Sequence, residues 1–238
     1  MIMPSLQNHV TIYLLNGEYS PDTGEIFPII LPDYVNLEGE SQDLTILNAN
    51  QSNRVILLNN VFQNIISNLT IKGGAPTSDS QYSSVGGGIL MIRSTPELTN
   101  LNITQNTAYT APAIFIAGLS YPHILNCSVY DNEVSDFSDC NEDDGYCAAI
   151  FLEECPGLID CNYDNFWYLP REITIIQNSI IQNNLGGALG FYQSFSTPVV
   201  IMDTIIKQNE GTALSIVETP VFTFGVKIIE NFGISIYN

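Results

Sequence analysis

The chain has 238 residues, 45% of them apolar, enough to bury one sizeable core or one elongated stack. Its 25 acidic residues against 6 basic ones leave a net charge of −19, which excludes a nucleic acid partner, because a polyphosphate needs a basic face to release its counterions. No apolar run approaches the roughly 18 to 20 residues of a membrane-spanning helix, and the opening "MIMPSLQNHV" carries no basic region followed by an apolar leader.

In chain order, residues 11–40, "TIYLLNGEYSPDTGEIFPIILPDYVNLEGE", read as short extended runs broken by Gly, Pro and Asp. Ile66, Leu69 and Ile71 follow, with Gly74 three residues on. From Gly88 a line repeats: Gly88-Ile89-Leu90-Met91, Ala113-Ile114-Phe115-Ile116, Ala149-Ile150-Phe151-Leu152, Ala188-Leu189-Gly190-Phe191 and Ala213-Leu214-Ser215-Ile216. The copies are spaced by 25, 36, 39 and 25 residues, so one repeat is about 25 residues long and two copies carry extra material.

A second line ends each time on Asn: Ile103 to Asn106, Val129 to Asn132, Ile181 to Asn184, Ile206 to Asn209 and Ile228 to Asn231. Two residues ahead of its apolar position stand Leu101, Cys127, Ser179, Thr204 and Val226. Three further back stand Leu98, Ile124, Ile176, Ile201 and Thr223, and the Ile66, Leu69, Ile71 segment fits the same frame. The runs alternate with period two and no stretch sustains a period of 3.6, which excludes helical repeats. Two or three short strands per repeat, with no helix between them, predict an all-β solenoid: a parallel β-helix with rungs of about 22 to 26 residues and two loop insertions.

These lines resemble those of right-handed parallel β-helix proteins, the pectate-lyase-like superfamily, over nearly the whole chain. Residues 11–40, with the core "G-x-Y-S…G-E-x-F-P-I-x-L-P", are similar to a short domain of unknown function that opens many secreted bacterial β-helix proteins. The resemblance implies a right-handed β-helix and no particular reaction. It divides a single domain, residues 1–238, into N-terminal rungs over 10–74 and repeat rungs over 75–238.

Alternation turns Ile89, Ile114, Ile150, Leu189 and Leu214 inward and Leu90, Phe115, Phe151, Gly190 and Ser215 outward, followed on the outer face by Ile92, Ala117, Glu153, Tyr192 and Val217. Phe115 over Phe151 is either a platform for a sugar ring or a ladder covered by a loop, and the covered ladder is the expectation. The Asn column is expected to satisfy backbone groups at a corner rather than to bind a ligand.

Insertions on a repetitive scaffold are where function concentrates. Residues 135–146 precede the strand of Ile150 and residues 155–172 follow it, so both flank the outward face of Phe115, Phe151, Glu153 and Tyr192. The second insertion offers Tyr163, Trp167 and Tyr168 for ligand contact. The first offers Asp139, Glu142, Asp143 and Asp144 as hard oxygen ligands, for which calcium is the fitting ion, although the spacing is not that of an EF-hand; no cofactor is otherwise required. Cys140, Cys147, Cys155 and Cys161 lie in or beside the insertions and suit two disulfides of undetermined pairing in an oxidising compartment, whereas Cys127 falls in the inward column as a buried free thiol.

The resemblance also sets expectations for catalysis. Lyases of the superfamily use a basic residue, and between Arg93 and Arg171 there is neither Lys nor Arg. Its glycosidases carry Asn-x-Asp, Asp-Asp, Gly-His-Gly and Arg-x-Lys motifs, of which Asp143-Asp144 alone occurs here. Glu153 with Asp143 or Asp144 is the candidate acid and base pair. His9 and His123 read as isolated, and the sequons at Asn68, Asn102 and Asn126 read as strand positions.

The expectation from sequence is therefore a non-catalytic extracellular or cell-surface module that is structural or binds a polysaccharide or surface glycan. The alternative is a carbohydrate-active hydrolase or lyase with its cleft around Phe115, Phe151 and Glu153. "FGISIYN" begins a further rung, so a longer chain with further domains is expected.

Overall fold

The structure, a computed structural model, describes residues 4–76, 84–136, 146–153, 173–194 and 198–237. It is a parallel β-helix. Each full rung contributes three strands, as in Ile114–Ala117, His123–Leu125 and Ser128–Tyr130, or Gly187–Tyr192, Val199–Met202 and Ile205–Lys207. A strand stacks on its counterpart one rung away, in parallel: Ile114 pairs with both Ile89 and Ile150, Ile124 with Leu98 and Ile176, and Val129 with Ile103 and Ile181.

The first strands of the rungs form an eight-stranded sheet, and the second and third strands form two further faces of one 14-stranded sheet. Those two faces are continuous because Phe62–Lys72 and Thr95–Thr104 run around the corner as single strands. Among the described residues the one helical element is a 3-10 turn at Pro21–Thr23. The repeat reaches further toward the N-terminus than the Gly/Ala line suggests. Ile29–Ile30 and Ile56–Asn59 stack beneath Ile89–Ile92, and Val10–Leu14 stacks on Val35–Gly39.

One inward column runs down each face: Ile89, Ile114, Ile150 and Leu189; Ile66, Leu98, Ile124 and Ile176; Ile71, Ile103, Val129 and Ile181, all fully buried. Burying one such side chain contributes roughly 1.5 to 3 kcal/mol, so like stacked on like gives a continuous core that no single rung has alone.

Three corners join the faces, and left-handed residues mark each of them. They are Asn60, Arg93, Gly118, Gln193 and Glu218 at the first; Asn68, Asn100, Asn126, Asn178, Asp203 and Gly225 at the second; Gly73, Gln105, Asp131, Asn183, Gln208 and Glu230 at the third. The enrichment in Asn follows from its short polar side chain, which tolerates positive φ at lower cost than bulkier residues. Asn126 consequently lies exposed at a corner between strands, unlike Asn68 and Asn102, which do sit within strands.

Just past the third corner stands the Asn column. The backbone N–H and Nδ2 of Asn106 both donate to Oδ1 of Asn132, and the same pair of bonds links Asn132 to Asn184, Asn184 to Asn209 and Asn209 to Asn231, at 2.8 to 3.2 Å. Gly74 takes the corresponding place one rung earlier and donates its N–H to Asn106. It must be glycine, because a Cβ there would fall on the carbonyl oxygen of Gly87. At the second corner the N–H of Cys127 donates to Oγ of Ser179, and that of Ser179 to Thr204. Cys127 is free and buried, its thiol bonded to the carbonyls of Leu98 and Leu125 and pushed up to about 12 by burial.

Candidate functional site

Two surfaces warrant a functional reading. The first is the outer side of the eight-stranded sheet, where the register places Leu90, Phe115, Phe151 and Gly190 in one row and Ala117, Glu153 and Tyr192 in the next. The row is covered. Phe115 is 4% exposed and Phe151 fully buried, in a second apolar cluster with Leu90, Ala111 and Ala117 against which Val85, Tyr146 and Tyr192 pack. The rings follow one another: Phe115 to Phe151 at 5.8 Å between centroids, Phe151 to Tyr146 at 4.8 Å and Tyr146 to Tyr192 at 5.5 Å. Phe115 and Phe151 are thus a packed ladder and not an open stacking platform: both rings are buried, and Tyr146 packs on Phe151.

Glu153 stands at the edge of this cluster between Ala117 and Tyr192, half-buried, and desolvation raises its carboxyl to about 7. Tyr192 is half-buried beside it. Asp139, Glu142, Asp143, Asp144, Tyr163, Trp167, Tyr168, Cys140, Cys155 and Cys161 lie outside the described residues. Cys147 is disulfide-bonded.

The second surface is a groove of about 610 Å³ on the outer side of the second face. Its floor is a row of outward residues in register, Ile65, Glu97, His123 and Ile175, spanning four rungs and so about 14 Å along the stack. His9, Gln63, Asn64, Thr95, Pro96, Tyr121 and Ile173 complete the lining. His9 is carried in by the N-terminal strand, which pairs Val10 with Val35, and its ring meets Tyr34 edge-on at 5.5 Å. The two histidines that read as isolated in sequence therefore border one groove.

The groove opens where the ladder is irregular. Between Phe62 and Ile65 the register with the next rung slips, and Asn64 sits in that bulge, fully buried. Its Nδ2 donates to the carbonyls of Pro32 and Val35, at 2.8 and 2.7 Å, while its Oδ1 has no partner. Among the described residues, none forms a hydrogen bond or ion pair with the carboxylate of Glu97. A signal for this site existed in the sequence: Glu97, His123 and Ile175 each precede an inward residue of one column. Sequence reasoning passed over it because polar residues on an outer face are ordinary.

The family described as protein of unknown function (DUF1565) matches residues 2–218. The chain belongs to that family. No curated protein matches it in sequence. Among solved structures it is similar to the Azotobacter vinelandii mannuronan C-5 epimerase AlgE6 A-module, at 12% identity and a TM-score of 0.27 over 98% of this chain and 88% of that one. It is also similar to the AlgE4 A-module from the same organism, at 14% identity and a TM-score of 0.24 over 96% and 87%. Likeness at this level says nothing of what a DUF1565 chain does, and the β-helix stands on the strand register alone. No helix among the described residues is long and apolar enough to cross a membrane.

Proposed function

We propose that this chain is a non-catalytic, extracellular β-helix module that binds carbohydrate in the groove over Ile65, Glu97, His123 and Ile175. The observation that carries this reading is the groove's lining, in which exposed isoleucines (Ile65, 37%; Ile173, 40%) and Tyr121 stand among polar side chains such as Gln63, Thr95, Glu97 and His123. A sugar has the complementary surface, apolar C–H faces rimmed by hydroxyls, and an open groove across several rungs suits an extended chain better than a compact ligand. Among the described residues Glu97 is the single acid in the lining, whereas glycoside hydrolysis needs two facing carboxylates, which favours binding over turnover. The disulfide at Cys147 supports an oxidising compartment.

One observation favours the enzymatic alternative. A carboxyl raised to about 7, as at Glu153, is protonated enough near neutral pH to act as a general acid. The two readings part in one experiment, incubation of the protein with immobilised and soluble neutral and acidic polysaccharides. Retention without new reducing ends or unsaturated products is expected. Product release that Glu153→Gln abolishes would replace binding with catalysis, and neither retention nor product would remove carbohydrate altogether.

A further inference from the structure

Resting on that reading, we infer that the groove selects a neutral glycan, one that offers hydroxyl donors and carries no carboxylates, over a polyuronate. The half-buried polar group on its floor, Glu97, is an acceptor. An ionised carboxylate accepts and cannot donate. Glu97 finds no protein donor among the described residues. Asn64 is fully buried, its Nδ2 protons spent on Pro32 and Val35, so it shapes the bulge beside the groove without meeting a ligand.

A ligand hydroxyl can donate to the half-buried Glu97 carboxylate; a ligand carboxylate, itself an acceptor, cannot. Among the described residues the lining holds no Lys or Arg to meet a uronate's charge, and the net charge of −19 repels a polyanion before contact. His9, His123 and Tyr121 add groups that can meet hydroxyl or ring oxygens of the same ligand.

The test compares sugars that differ only in the oxidation of C6: galacto-oligosaccharide against oligogalacturonate, and manno-oligosaccharide against oligomannuronate, with gluco- and xylo-oligosaccharides included, titrated calorimetrically into the full chain. We expect measurable affinity for at least one neutral hexasaccharide and at least tenfold weaker binding of the matched uronate. Glu97→Leu should weaken neutral binding tenfold or more, the size of one charge-assisted hydrogen bond. Glu97→Gln, which keeps one acceptor oxygen, should lose less, and Gln177→Ala, on the same face away from the groove, should lose nothing. Should Glu97→Leu not fold, the Glu97→Gln comparison decides. Equal or tighter uronate binding, or a neutral affinity indifferent to both Glu97 variants, would overturn the selectivity while leaving carbohydrate binding in place. Absence of binding to every sugar would overturn both.

Discussion

Glu153 illustrates how a solenoid's outer face creates unusual chemistry from ordinary residues. Outward strand positions normally meet water, but this one is half-buried beside Tyr192 at the edge of an apolar cluster, and burial raises the carboxyl to about 7. Between its ordinary value of 4.5 and about 7, the folded protein keeps a proton that the unfolded chain has released. Stability from this residue is thus fully present below 4.5 and is lost as pH rises through about 7. Glu153→Gln stays neutral throughout. Its melting temperature should match that of the parent at pH 4 and exceed it increasingly up to pH 8; a gap that does not change with pH would place the carboxylate in solvent.

At the scale of the element, the Asn column shows why one residue type recurs at one place. From Asn132 to Asn231 each Oδ1 accepts two bonds from the rung before it, and each Nδ2 also reaches a backbone carbonyl, as Asn184 does to Val129 and Asn209 to Ile181. Removing a middle member strands the two donors of the rung before it and takes a donor from the Oδ1 of the rung after it and from a backbone carbonyl. Asn184→Ala should therefore cost about 3 to 5 kcal/mol, several unsatisfied groups at roughly 1 to 3 each. Asn231→Ala, at the half-buried end where water can substitute, should cost about 1 kcal/mol. Urea titration of both variants checks the gradient, and equal costs would show that the bonds do not act as a buried ladder.

Across the whole molecule, stability is a sum of neighbouring rungs, and the rungs are unequal. Ile150 and Leu189 lie fully buried between neighbours, whereas Ile234 and Ile236, in register over Leu214 and Ile216, are 53% and 60% exposed. Phe222 and Phe224 on the second face are exposed as well. Amide exchange should accordingly be slowest from Ile89–Ile92 through Gly187–Tyr192 and fastest in Val221–Phe224, Lys227–Ile229 and Gly233–Tyr237. Equal protection in both regions would mean that the stack opens as a single cooperative unit.

The sequence by itself determined the periodic part of this protein. Stacking a strand on its own copy demands the same residue class at the same place in each rung, so the Ile150 column, the Asn ladder and the buried Cys127 were all legible as recurrence. Recurrence also put Phe115 beside Phe151, but whether that pair faces water depends on what packs over it, including Tyr146 on Phe151, which belongs to no repeat. The groove is aperiodic in the same way. The bulge at Asn64, the arrival of His9 on the N-terminal strand and the alignment of Glu97 with His123 across a corner-turning chain each depend on how rungs dock. Only the tertiary structure decided them, because a hydrogen bond left unmade and a side chain brought in from another rung leave no period in the sequence.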